Sequence, residues 1–76
     1  MQYAVGSKQT ARMVEQRKAV RVYVAQDADS QMKETIVRLC KTAGVPVQWI
    51  DTMKNLGETC GIDVGAAMAA EIPDIE

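Results

Sequence analysis

Val20, Val22 and Val24 alternate with Arg21 and Tyr23, and this period of two in β-branched residues predicts a half-buried strand over 20–25. After the turn Asp27-Ala28-Asp29-Ser30, which offers two capping carboxylates, the period changes. Met32, Ile36, Leu39, Cys40 and Ala43 fall on one stripe of a helix from Ser30 to about Thr42, closed by Gly44 and stopped by Pro46. Val45 to Ile50 returns to alternation, with Val45, Val47 and Trp49 on one side. Upstream, Tyr3-Ala4-Val5 is a short strand ended by Gly6, and Ser7 is placed to cap a helix from Lys8 to about Lys18. That helix turns Ala11 and Val14 inward and sets Lys8, Arg12 and Glu15 on another side. Downstream, Asp51 or Thr52 caps a short helix from Met53 to Glu58, weakened at its end by Gly57 and followed by Gly61. Ile62-Asp63-Val64-Gly65 is then a loop. The apolar run Ala66 to Ile72 reads as a buried strand, against the helix propensity of alanine. Strands alternating with helices imply one α/β domain, with helices on both faces of a small sheet.

Seventy-six residues suffice for a single domain that buries only about 60% of its unfolded surface, so its stability margin is thin. With Tyr3, Tyr23 and Trp49 the only aromatics, the core must come from Val, Ile, Leu, Met and Ala. No apolar run approaches the ~18 residues of a membrane span. The start, Met1-Gln2-Tyr3-Ala4-Val5, lacks the basic-then-apolar layout of a signal peptide. Cys40 and Cys60 sit in no C-x-x-C pattern and there is no histidine, so the expectation is two reduced thiols in a cytosolic protein, with no zinc or other metal and no cofactor.

The net charge of -1 conceals an asymmetry. Residues 1–26 carry Lys8, Arg12, Arg17, Lys18 and Arg21 against Glu15, whereas the remainder carries four cations against nine carboxylates. A solvated helix face is the bland reading of such a run. Catalysis has little behind it: the commonest general base is missing, Asp27 and Asp29 sit where carboxylates cap helices, and neither cysteine has a base beside it. Gly6-Ser7-Lys8-Gln9-Thr10-Ala11-Arg12 is more telling. A glycine ahead of a helix start admits close approach to free amides that attract phosphate, with Lys8 and Arg12 one turn apart and Gln9 able to donate and accept. In the glycine-framed loop, Ile62 and Val64 either cover an unstacked base or tuck into the core. Trp49 could stack on a base, but its place on a central alternating strand favours core packing.

Three blocks together resemble the ribosomal-protein L-seven-Ae family, and in particular its short bacterial YbxF-like branch: Gly6 to Thr10, Val22 to Asp29, and Leu56 to Ala67. The resemblance implies a three-layer α/β/α sandwich around a small mixed four-stranded sheet. It also implies binding to kink-turns, RNA helices sharply bent at a bulge flanked by sheared G·A pairs. Where many members have Asn-Glu to read those pairs, this chain has Lys8-Gln9, similar to the bacterial branch, with Arg12 at the family's basic position one turn on. Ile62, Asp63 and Val64 match the loop that packs on the bulge in the family, and Lys54 matches a basic position after the third strand. The expected interface is therefore Gly6, Ser7, Lys8, Gln9, Arg12, Lys54, Ile62, Asp63 and Val64 on a monomer. Ribosomal RNA, a riboswitch element or another structured transcript would fit as the RNA, and the ribosome itself as the assembly. Two departures are the acidic end, Glu71 to Glu76, and a start directly at the first strand, where the family usually has a preceding helix. The near-neutral net charge and the acidic end motivate a rival reading, a protein-interaction module on the same fold.

Overall fold

The computed structural model describes residues 2–73, and within them seven elements alternate as the periodicity predicts. They are β1 (Gln2–Val5), α1 (Ser7–Glu15), β2 (Arg21–Ala25), α2 (Ser30–Ala43), β3 (Val47–Ile50), α3 (Met53–Cys60) and β4 (Met68–Ile72). The sheet order is β1-β4-β2-β3, with β4 antiparallel to both neighbours and β2 parallel to β3. The parallel pair is joined through α2, the crossover such a pair requires. The Ala-rich segment thus becomes an inner strand: Ala70 pairs with Ala4 on one side and Val22 on the other. Two ladders and burial of nearly the whole strand outweigh alanine's preference for helix.

Two cores sit on opposite faces of the sheet. Under α1 and α2 lie Val14, Val22, Val24, Ile36, Cys40, Met68 and Ala70. Under α3 lie Ala25, Ala28, Leu56, Ala66 and Ala69. The result is the expected three-layer α/β/α sandwich around a mixed four-stranded sheet. Cys40 is buried and Cys60 half-buried; neither is bridged, and burial pushes both thiols up, the reverse of an activated nucleophile. Among the described residues no helix is long and apolar enough to cross a membrane.

Glu71 points to the α3 side of β4 and is 8% exposed, yet it has a partner: the Tyr23 hydroxyl donates to its Oε1 at 2.7 Å. This hydrogen bond, and secondarily burial, raises the Tyr23 pKa. A raised folded-state value means that the stabilisation is complete below the ordinary tyrosine range and is lost as pH rises through the folded value. Tyr23→Phe leaves the carboxylate short of a donor and should cost about 1 kcal/mol, read as a shift in the urea midpoint at neutral pH. At a pH above the folded-state tyrosine value, wild type and variant should converge.

Several boundaries differ from the periodicity: α3 runs on to Cys60 instead of Glu58, and β4 begins at Met68 and not at Ala66. The first helix ends at Glu15 instead of Lys18, because Arg17 adopts φ 60 and the chain reverses. The Arg17 amide donates to the Val14 carbonyl and the Lys18 amide to that of Met13, the paired bonds of a Schellman motif. The same motif ends α2 and α3, but with Gly44 and Gly61 in the left-handed position. Only α1 uses a residue with a Cβ there. Arg17→Gly should therefore stabilise the protein by about 0.5–1 kcal/mol in urea unfolding, the left-handed strain removed less the added chain entropy. β3 likewise begins at Val47 and not at Val45. It is also an edge strand, not an inner one, so Trp49 is 43% exposed instead of lying in the core.

Candidate nucleic-acid interface

β1, β2 and β3 all end at the same edge of the sheet, and each is followed by a helix. Three helix N-termini therefore gather there, each with unsatisfied amides and a positive dipole end. The sequence treats them differently. The Asp29 carboxylate accepts from the Gln31 amide at 3.1 Å and caps α2. Thr52 caps α3 through the Asn55 amide at 3.0 Å. Asp27 adds a second cap to α3, accepting from the Met53 amide at 2.8 Å across 26 residues of sequence. The turn that offered two carboxylates to one helix thus serves two.

The start of α1 has no such cap among the described residues. Ser7 is the first helical residue, not the cap that its hydroxyl suggested; Gly6 takes that position with φ 107 and ψ 157, a conformation that excludes side chains. The Gly6 amide donates to the Met68 carbonyl at 3.0 Å, and Thr10 closes the first turn on the Gly6 carbonyl at 2.9 Å. Open space lies where a Cβ of Gly6 would be. Around these amides Ser7, Lys8, Gln9 and Arg12 are all exposed, while Thr10 and Val14 anchor the helix to the sheet. The basic N-terminal third is nevertheless divided. Lys8 lies in the first turn of α1 at this edge and Arg12 one turn on, whereas Arg17, Lys18 and Arg21 follow the far end of α1 and open β2 at the opposite edge.

The Gly6–Met68 bond ties this helix start to the strand that emerges from the 61–67 loop, so the loop belongs to the same edge. It is strapped across α3. The Ile62 amide donates to the Gly57 carbonyl at 3.0 Å and the Ala66 amide to that of Met53 at 3.0 Å. Gly57 is buried in α3, and a Cβ there would collide with the Val64 carbonyl oxygen. It is a contact point and not a weak helix end. The loop divides its two aliphatics: Val64 is 70% exposed, whereas Ile62 is half-buried against the Leu56 core. The expectation that both face outward holds for Val64 alone. Asp63 is exposed, as is Lys54 in the first turn of α3. Met53, which the sequence reading missed, is also exposed, and the Gly65 backbone packs against it.

Of the nine expected interface residues, Ser7, Lys8, Gln9, Arg12, Lys54, Asp63 and Val64 are exposed, and Gly6 and Ile62 are half-buried. The edge offers free amides, cations, an amide side chain and an apolar knob. Among the described residues no cluster of carboxylates and thiols could hold a metal ion.

Comparison with known proteins places this chain in a family. The description Ribosomal protein L7Ae/L30e/S12e/Gadd45 family matches residues 1–74. An RNA-binding protein of Caldanaerobacter subterraneus subsp. tengcongensis is 47% identical over 68 residues, covering 90% of this chain and 83% of that one. The RNA-binding protein YbxF of Geobacillus stearothermophilus is 44% identical over 66 residues, 87% of this chain and 80% of its own. Among solved structures, a Giardia lamblia 15.5kD RNA binding protein superposes with a TM-score of 0.88 at 26% identity, over 96% of this chain and 62% of that one. Fold and relatives thus agree, and the chain belongs to the ribosomal protein L7Ae/L30e/S12e/Gadd45 family, alongside its YbxF-like bacterial members.

Proposed function

We propose that this chain binds RNA at the edge where α1 begins, and that the RNA element it reads is the kink-turn. Its relatives' names describe RNA-binding proteins and name no catalyst. The observation that carries the reading is the unequal capping of the three helix starts. Carboxylates and a threonine occupy those of α2 and α3, while α1 keeps open amides framed by Lys8, Gln9 and Arg12. Phosphate oxygens are the acceptors that suit such amides. Gln9 can donate to and accept from base edges in a widened groove. Val64, exposed on the loop, offers the apolar surface that an unstacked bulge base requires. Lys54 adds a cation on the α3 side.

The test is a gel-shift titration with a simple kink-turn RNA, against the same RNA with its sheared G·A pairs replaced by Watson–Crick pairs, at two salt concentrations. Tight binding to the first and not the second is expected. Equal weak binding to both would reduce the edge to a basic patch, and no binding to either would favour the protein-interaction module.

A further inference from the structure

Trp49 lies on β3, the lateral edge strand farthest from β1, on the face of the sheet that α1 and α2 cover. Its ring forms the wall of a groove of about 540 Å³ whose floor and other wall come from α2, including Lys33, Val37, Arg38 and Lys41. We propose that this groove holds a short single-stranded RNA segment, with a base stacked on Trp49 and phosphates against Lys33, Arg38 and Lys41. Lys33, Val37 and Lys41 follow one i, i+4 row of α2, so the two lysines stand about 12 Å apart along the groove. Arg38 and Glu34 complete the charged lining, three cations against one carboxylate in a chain whose net charge is -1. That local excess selects an anionic occupant.

An aromatic face between fixed cations is how sequence-tolerant sites hold single strands: the cations track the backbone and the ring takes a base. The indole is 43% exposed, available to stack without rearrangement of the core. Lys33 is held in place, its ammonium donating to the Gln26 carbonyl at 2.6 Å. Gln26 directly follows β2, and a smaller recess bounded by Gln26, Lys33 and Trp49 continues the groove to that end. The groove therefore opens at the sheet edge where α1 also begins. A strand leaving a structured RNA bound there can run down α2 past Trp49 toward Lys41.

Trp49 is the only tryptophan in the chain, so its fluorescence reports the site directly. The intact protein is titrated with an unstructured oligouridylate, with polyaspartate, and with blunt or single-strand-extended kink-turn RNA. Oligouridylate should quench Trp49, and Arg38→Glu/Lys41→Glu should weaken that binding at least tenfold while leaving affinity for the blunt RNA unchanged. The extended RNA should bind more tightly than the blunt one, an arm that rests on the kink-turn reading; the oligouridylate arm does not. Absence of quenching by oligouridylate, quenching indifferent to the double substitution, or equal quenching by polyaspartate would each overturn the proposal. Failure of blunt RNA to bind while oligouridylate still quenches would refute the kink-turn reading and leave this groove standing.

Discussion

Gly57→Ala should destabilise the protein by about 2 kcal/mol, the opposite of what alanine does at an open helix position. Gly57 lies inside α3 with an ordinary helical backbone, so alanine's propensity alone would add about 1 kcal/mol of stability. The new methyl would instead meet the Val64 carbonyl oxygen, with the Gly65 Cα 3.2 Å away. Neither neighbour is a side chain that could swing aside. Relief requires the 62–65 loop to lift from α3, straining the Ile62–Gly57 and Ala66–Met53 backbone bonds. Urea unfolding gives the stability arm directly. The same displacement would carry Val64 off the interface, so RNA affinity should fall even under conditions where the variant is fully folded. A variant more stable than wild type would show that the loop does not rest on Gly57.

The role of Gly57 was not legible in the sequence, where a glycine near a helix end reads as a weak point; its partner lies seven residues on, beyond a turn. Local chemistry did foretell much of the fold. The alternation over Val20–Val24, the stripe from Met32 to Ala43 and the Gly44 and Gly61 terminators all rest on neighbours within a turn or a strand. What failed depends on distant partners. Trp49 alternates as an inner strand residue does, but β4 inserts between β1 and β2 and leaves β3 at the edge. Asp27 caps a helix 26 residues away, and Arg17 takes a left-handed conformation that its side chain gave no reason to expect. The candidate interface was found by resemblance more than by periodicity. Lys8, Gln9 and Arg12 form a pattern common to many helices, and only the three-dimensional contrast with the capped starts of α2 and α3 distinguishes them. Ile62 and Val64, alike in sequence, separate because Ile62 packs against the Leu56 core, while Val64 rests its backbone on Gly57 and leaves its side chain exposed.

Arg12→Ala should weaken kink-turn binding by about 1–3 kcal/mol and reduce the salt dependence of binding by about one phosphate contact. The substitution suits a binding test because the folded state scarcely notices it. Arg12 is exposed, and alanine and arginine are both good helix formers, so only a few tenths of a kcal/mol of dipole interaction near the end of α1 are lost. The guanidinium stands one turn above the open amides, where it can grip with two parallel hydrogen bonds a phosphate or guanine edge that Lys8 can address only as a point charge. These two roles predict different outcomes in the same titration. Loss of a phosphate contact weakens the kink-turn and its Watson–Crick control alike and lowers the salt slope. Loss of a base contact narrows the preference between them and leaves the slope nearly unchanged. Gln9→Ala should follow the second pattern and Lys8→Ala the first, because an amide reads donors and acceptors and an ammonium reads charge. Wild-type affinity and slope in Arg12→Ala would move the interface away from the start of α1.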